Sequence, residues 1–194
     1  MYRFFLAAVD IVPAAVVLIP LFAILYGTLY GRNFKKSALY CLFCLYIAAV
    51  FSLVGIPNVT YFRPQINLNL IPFRGMVEDW KNGLLNVALF LPLGFFLPLL
   101  WQKYRRICSC VTFGFFLSLI IELLQMLTFR ATDVNDLITN CVGTVIGFLL
   151  VRPITDRVCP VSSGRDSYFL CILSFVVMFF GHPFLSPLIW DNIL

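Results

Sequence analysis

Charged and amide side chains are concentrated between Ser118 and Gly147, although the neighbouring residues are those of apolar helices. Glu122 lies inside one apolar run and Asn140 inside the next. An ionisable group in apolar surroundings costs free energy unless it is paired, protonated or hydrated. The carboxyl group of Glu122 therefore indicates hydrogen bonding, ligand binding or proton transfer within this part of the chain.

The spacing of these residues predicts two helices that face each other across a polar site. Side chains three or four residues apart share one face of a helix, and this rule aligns Ser118, Glu122 and Gln125. It aligns the polar residues of the following run in the same way. We predict a ligand-binding or structural polar site made of Asn86, Glu122, Gln125, Arg130, Asp133, Asp136 and Asn140, with Glu122 and Asp136 as the best candidates for a catalytic base.

Depth along the helices supports this grouping. A helix rises about 1.5 Å per residue, so Glu122 and Asn140 should each lie roughly 10 Å below the connector that joins their helices. Asn86, in the apolar run from Leu84 to Trp101, should lie somewhat closer to the membrane surface than these two residues. We expect the amides and Glu122 at one level, with Arg130, Asp133 and Asp136 forming a lid above them.

Small residues predict close packing around this site. Gly143 and Gly147 form a GxxxG pattern, which lets two membrane helices approach backbone to backbone. Pro92 and Gly94 lie in the apolar run from Leu84 to Trp101, where proline frees a backbone carbonyl and glycine permits close approach by a neighbouring helix. We expect these four residues to determine helix packing.

The composition identifies the elements that hold the site. Of 194 residues, 61% are hydrophobic and 12% are charged, against about a quarter charged in soluble domains. The basic residues are scattered between apolar runs, which excludes a nucleic-acid surface. We predict an all-α, polytopic membrane bundle of five or six transmembrane helices, from runs at Val9 to Tyr30, Ser37 to Gly55, Leu84 to Trp101, Ile107 to Leu127, Val134 to Val151 and Tyr168 to Phe180.

The distribution of basic residues predicts the orientation. Nine of the 14 Lys and Arg residues fall in connectors on one side, which should be cytoplasmic. The connector with Arg130 and Asp133 then faces the extracytoplasmic side. On that side, the connector before Leu84 should include an interfacial segment at Asn67 to Phe73, followed by a short surface helix of mixed charge.

The cysteines and the histidine do not predict a metal centre. Seven cysteines lie in or beside apolar segments, and His182, the single histidine, is remote from them in sequence. Cysteine in such surroundings usually acts as a small apolar residue. We expect no metal and no cofactor.

Four motifs resemble the successive blocks of the VanZ-like family of bacterial membrane proteins. They are NLNLIPF (67–73), NVALFLPLGFFLPLL (86–100), SLIIELLQ (118–125) and RATDVNDLITNCVGTVIG (130–147). The resemblance divides the chain into residues 1–66, with two transmembrane helices and no family signal, a VanZ-like domain at 67–151, and a basic loop with a C-terminal hydrophobic helix at 152–194. It implies a cell-envelope protein associated with lowered susceptibility to teicoplanin-type antibiotics, and transfers no catalytic residue.

Three hypotheses for function follow. The leading one is a non-catalytic envelope protein in contact with membrane lipid, whose outward polar pocket binds a lipid-linked wall precursor or the lipid anchor of a glycopeptide antibiotic. The second is an intramembrane enzyme acting on a lipid-linked substrate, with Glu122 or Asp136 as base and Arg130 binding a phosphate. The third is a transporter that carries protons on Glu122.

Overall fold

The computed structural model describes residues 34–54, 68–69, 71–76, 78–126 and 132–157, with the single residues 19 and 159. The chain divides into two compact units: Met1–Phe62 with Gly164–Leu194, and Arg63–Ser163. The first unit contains helix α1, Phe34–Val54. Buried residues follow one stripe of this helix, at Tyr40, Phe43, Cys44 and Ile47.

The second unit is a three-helix bundle. Its helices are α2 (Trp80–Leu100), α3 (Ile107–Gln125) and α4 (Val134–Thr155). All three are long and apolar enough to cross a membrane, and α1 contributes a shorter apolar segment, Ser37–Val50. The predicted all-α membrane bundle is therefore confirmed. Of the five or six predicted spans, the runs at Val9 to Tyr30 and Tyr168 to Phe180 lie outside the described residues.

Helices α2 and α4 run parallel, with their backbones in direct contact. A Cβ added to Gly143 would lie 2.4 Å from the Val87 carbonyl oxygen, and one added to Gly147 would lie 2.0 Å from that of Leu91. Gly94 on α2 meets the Thr144 carbonyl oxygen in the same way, also at 2.0 Å. No side chain fits at these three positions, because carbonyl oxygens of the opposite backbone occupy the space.

Helix α3 packs antiparallel to α4. A Cβ on Gly114 would lie 2.6 Å from the Thr144 Oγ1, so a glycine is needed here as well. A 3-10 helix, Gln102–Arg105, joins α2 to α3. The end of the bundle where α2 and α4 begin and α3 ends is called the loop end, and the opposite end is called the basic end. In the described part of the chain, the basic end carries Lys103, Arg105, Arg106, Arg152 and Arg157.

The connector before α2 differs from its prediction. Turns occupy residues 71–76 and 78–79, and α2 begins at Trp80 rather than at Leu84. The expected separate surface helix is therefore wrong. Lys81 suggested a span that begins after it, but the backbone is helical from Trp80. The Asn82 amide donates to both Asp79 carboxylate oxygens at 2.7 Å.

Candidate functional site

Asp133 is the centre of a hydrogen-bonded network at the loop end. It is the N-cap of α4, where its Oδ1 accepts the Asn135 backbone N–H at 2.9 Å. Its Oδ2 accepts the Asn69 side-chain amide at 3.1 Å. Two short strands, Leu68–Asn69 and Thr132–Asp133, pair in parallel beside this contact. Asp133 thus fixes the start of α4, and through Asn69 it joins the connector before α2 to this helix.

Glu122 reaches the same point from the last turn of α3. Its Oε2 accepts the Asp133 backbone N–H at 3.2 Å, and the residue is only 3% exposed. The amino end of a helix carries partial positive charge, which stabilises nearby carboxylates. Glu122, Asp133 and Asp136 are therefore gathered where α4 can best accommodate negative charge, which gives a physical reason for an acidic residue in an apolar helix.

Helix α2 is joined to α4 through Asn86. The Asn86 side-chain amide on α2 donates to Oδ1 of Asp136 on α4 at 2.7 Å. Both residues are partly exposed. A hydrogen bond to a charged group contributes about 1.5–3 kcal/mol. This bond fixes the α2 and α4 ends at the point where the glycine contacts begin.

Asn140 forms a separate layer deeper in the bundle. Its Nδ2 donates to the Ser118 Oγ at 2.8 Å, and the two residues are 4% and 0% exposed. Its Oδ1 is buried and has no hydrogen-bond partner in the described part of the chain. The Thr144 hydroxyl, one turn further along α4, donates to the Asn140 backbone carbonyl at 3.0 Å.

The polar residues therefore occupy two layers instead of the predicted single level. Asn86, Glu122 and Asp133 belong to the network at the loop end, whereas Asn140 pairs with Ser118 one helical turn below Glu122. The spacing argument placed each side chain on the correct helix face but could not assign partners between helices. Gln125 is also buried, at 8% exposed. Arg130, predicted to lie above the site, is outside the described residues.

Asn135 is a network residue that the sequence argument missed. Its Oδ1 accepts the Phe73 backbone N–H at 2.7 Å, and its Nδ2 donates to the Arg74 backbone carbonyl at 2.9 Å. It is 7% exposed, although it lies off the stripe that contains Asp136 and Asn140. An amide in the first turn of a helix, following an aspartate N-cap, was the signal that could have identified it.

Most polar atoms of Asp133 and Asn135 are used in hydrogen bonds within the protein. The Asp133 backbone N–H and both of its carboxylate oxygens are used within the protein, as are both ends of the Asn135 amide. Among the described residues, no group of three His, Cys, Asp or Glu side chains could hold a metal ion. The described contacts join three helices and two connectors at the loop end.

An apolar groove of about 360 Å³ runs along the outer surface of α3 and α4, away from the polar network. None of the predicted site residues lines it. Its wall is formed by Phe115, Leu137, Ile138, Cys141, Val142, Val145 and Ile146. The groove is therefore apolar and distinct from the predicted polar site.

The apolar helices and their buried polar fastening define a multi-pass α-helical membrane protein. A sequence profile of the family described as VanZ/LLP1 matches residues 37–155, and the chain belongs to that family. The match begins upstream of the motifs at 67–147 and includes most of α1. It extends past Leu150 to the last residue of α4.

The chain is also similar to a named bacterial protein. The chain is 35% identical over 89 residues to Protein VanZ of Enterococcus faecium, in a match that covers 44% of this chain. The match covers 53% of that protein, so about half of its length is represented. No solved structure matches this chain.

Proposed function

We propose that this protein lowers the susceptibility of its host bacterium to teicoplanin-type lipoglycopeptide antibiotics, and that it acts in the cell membrane without catalysing a reaction. Membership of the VanZ/LLP1 family over residues 37–155 is the observation that carries the proposal. The 35% identity to Protein VanZ adds support from a second comparison. The role in antibiotic susceptibility is inferred from this relationship.

The proposal places the loop end on the extracytoplasmic side. Five basic side chains lie at the basic end of the described bundle, with Asp156 as the acid beside them. Short connectors rich in Lys and Arg are retained in the cytoplasm. Among the described residues, the loop end carries two basic side chains, Arg74 and Lys81, and the acidic Glu78 and Asp79 lie in the same connector.

In this proposal the polar network has a supporting role. It fixes the ends of α2, α3 and α4 and the connector at 68–76, so that the apolar surfaces keep one geometry. Direct hydrogen bonds among Asn86, Asp136, Glu122 and Asp133 favour this role over an open polar pocket. The proposed partner is the lipid portion of a glycopeptide or of a lipid-linked wall precursor, which matches the apolar character of the groove on α3 and α4.

Drug selectivity tests this function. The full chain is expressed in a susceptible strain, and inhibitory concentrations are measured for teicoplanin and for vancomycin, which lacks the lipid anchor. We expect a rise for teicoplanin and no change for vancomycin. Equal rises for both drugs would place the effect on the shared peptide target, and no rise for either drug, with the protein present in the membrane, would reject the function.

A further inference from the structure

The connector at the loop end contains a strained aromatic residue. Phe73 has a φ of 65°, in the left-handed region that aromatic residues rarely adopt. Backbone strain of this kind persists only where surrounding contacts impose it, and it is frequent at ligand clamps and switch regions. The turn's own backbone bonds are long, at 3.4 Å from Arg74 N–H to the Ile71 carbonyl and from Met76 N–H to the Phe73 carbonyl.

The conformation is imposed by Asn135 from the first turn of α4. Its amide accepts from the Phe73 N–H at 2.7 Å and donates to the Arg74 carbonyl at 2.9 Å, so the peptide groups before Phe73 and after Arg74 are both held. These bonds are shorter than those within the turn. The clamping side chain is itself buried and begins a rigid helix, so the connector is fixed against the bundle at this point.

The side chains presented by this clamped turn are apolar and exposed. Phe73 is 68% exposed, Ile71 is 54% exposed, and Pro72 between them is exposed as well. Leu84 and Leu85, in the first turns of α2, are also apolar and exposed. Helix α2 is long and apolar enough to cross a membrane, so the turn lies a few residues before a segment that lipid would cover.

The residues beside the turn are those typical of a membrane boundary. Trp80 is exposed, and the Lys81 ammonium lies 5.9 Å from the centre of its indole ring. Tryptophan and lysine are favoured where acyl chains meet headgroups. The turn therefore lies at the level of the interface, with apolar side chains that the described part of the chain leaves exposed.

We infer that Ile71, Pro72 and Phe73 form a preorganised tip that inserts into the lipid leaflet at the loop end, with Asn135 as the residue that positions it. The partner is the acyl-chain and glycerol region of the leaflet, because the tip is apolar and the surrounding charges balance. Fixing the turn before insertion removes the entropy cost of ordering it in lipid. This inference rests on the turn, on Asn135 and on the residues beside the turn, and it is independent of the proposed antibiotic function.

Tryptophan fluorescence tests the insertion. Phe73→Trp is made in the full chain and reconstituted into phosphatidylcholine vesicles, and its added emission is obtained by subtracting the parent, which has three tryptophans. We expect lipids brominated near the glycerol to remove most of this added emission, and aqueous acrylamide to have little effect. Glu78→Trp is the matched control, since Glu78 is exposed and charged in the same connector, and should respond to acrylamide only.

Two results would overturn the insertion. Added emission quenched by acrylamide and not by brominated lipid would place the tip in water. Added emission protected from both quenchers would show that protein covers it. The positioning role is tested in the Phe73→Trp background: Asn135→Ala should shift quenching from lipid towards acrylamide, and Asn135→Asp, which retains an acceptor for the Phe73 N–H, should shift it less. Unchanged lipid quenching in both Asn135 variants would reject the clamp.

Discussion

Replacing Gly147 with alanine should separate α2 from α4. The new Cβ would lie 2.0 Å from the Leu91 carbonyl oxygen and 2.9 Å from the Phe95 backbone nitrogen. Side-chain Cβ atoms are essentially never found within 3.0 Å of such atoms, so the helices must move apart by about 1 Å. A gap of about 1 Å forfeits a quarter to a half of the dispersion energy at each affected contact.

The expected loss of stability is about 2–3 kcal/mol, in the upper part of the range for overpacked sites. The upper part applies because the obstructing atoms belong to a helix backbone, which cannot rotate away as a side chain can. Equilibrium unfolding in mixed micelles with increasing dodecyl sulfate, followed by far-ultraviolet circular dichroism, measures this loss as a lower midpoint.

Gly83→Ala is the matched control on the same pair of helices. Its Cβ would lie 3.4 Å from the Thr139 Cγ2, which is an ordinary contact. We expect a change within about 0.5 kcal/mol, as for most substitutions without a steric cause. If Gly147→Ala unfolded at the midpoint of the parent protein, direct backbone contact between α2 and α4 would be refuted. Equal losses in both variants would show a general effect of alanine instead.

Three further predictions concern other contacts. Asn86→Ala should lower the free energy of unfolding by about 1.5–3 kcal/mol in the same titration, because Asp136 on α4 loses a hydrogen-bond donor. An unchanged midpoint would contradict this hydrogen bond. Gly114→Ala should destabilise the bundle, and adding Thr144→Ala should restore part of the loss by removing the hydroxyl 2.6 Å away, whereas additive losses would contradict the contact. The third prediction concerns topology: both residue 78 and Cys108 are exposed, and we place residue 78 outside the cell and Cys108 inside it. In intact cells, a membrane-impermeant maleimide should therefore label Glu78→Cys and leave Cys108 unlabelled. The reverse labelling pattern would contradict the proposed topology.

The helices and their polar faces were predictable because two simple physical signals specify them. Uncharged runs of about 20 residues identified α3 and α4 closely, with α3 beginning at the predicted Ile107 and α4 at the predicted Val134. The three-to-four residue spacing placed Ser118, Glu122 and Gln125 on one face, and all three are buried. These signals are local, so a single sequence contains them.

The partners within the site were not predictable in the same way. Whether Asn140 meets Glu122 or Ser118 depends on the offset of α3 along α4, and in the structure Gly114 lies against Thr144 and Ser118 against Asn140. Asn135 was missed because its role depends on a connector more than 60 residues earlier in the chain. Long-range contacts of this kind leave no periodic pattern in the sequence.

The proposed effect on teicoplanin susceptibility is expected to depend on the network that joins the helices at the loop end. The most direct test compares teicoplanin inhibitory concentrations for the parent, Glu122→Ala and the exposed control Glu78→Ala, at equal amounts of protein in the membrane. The account predicts that Glu122→Ala abolishes the rise in teicoplanin concentration and that Glu78→Ala preserves it. A full rise with Glu122→Ala would contradict the claim.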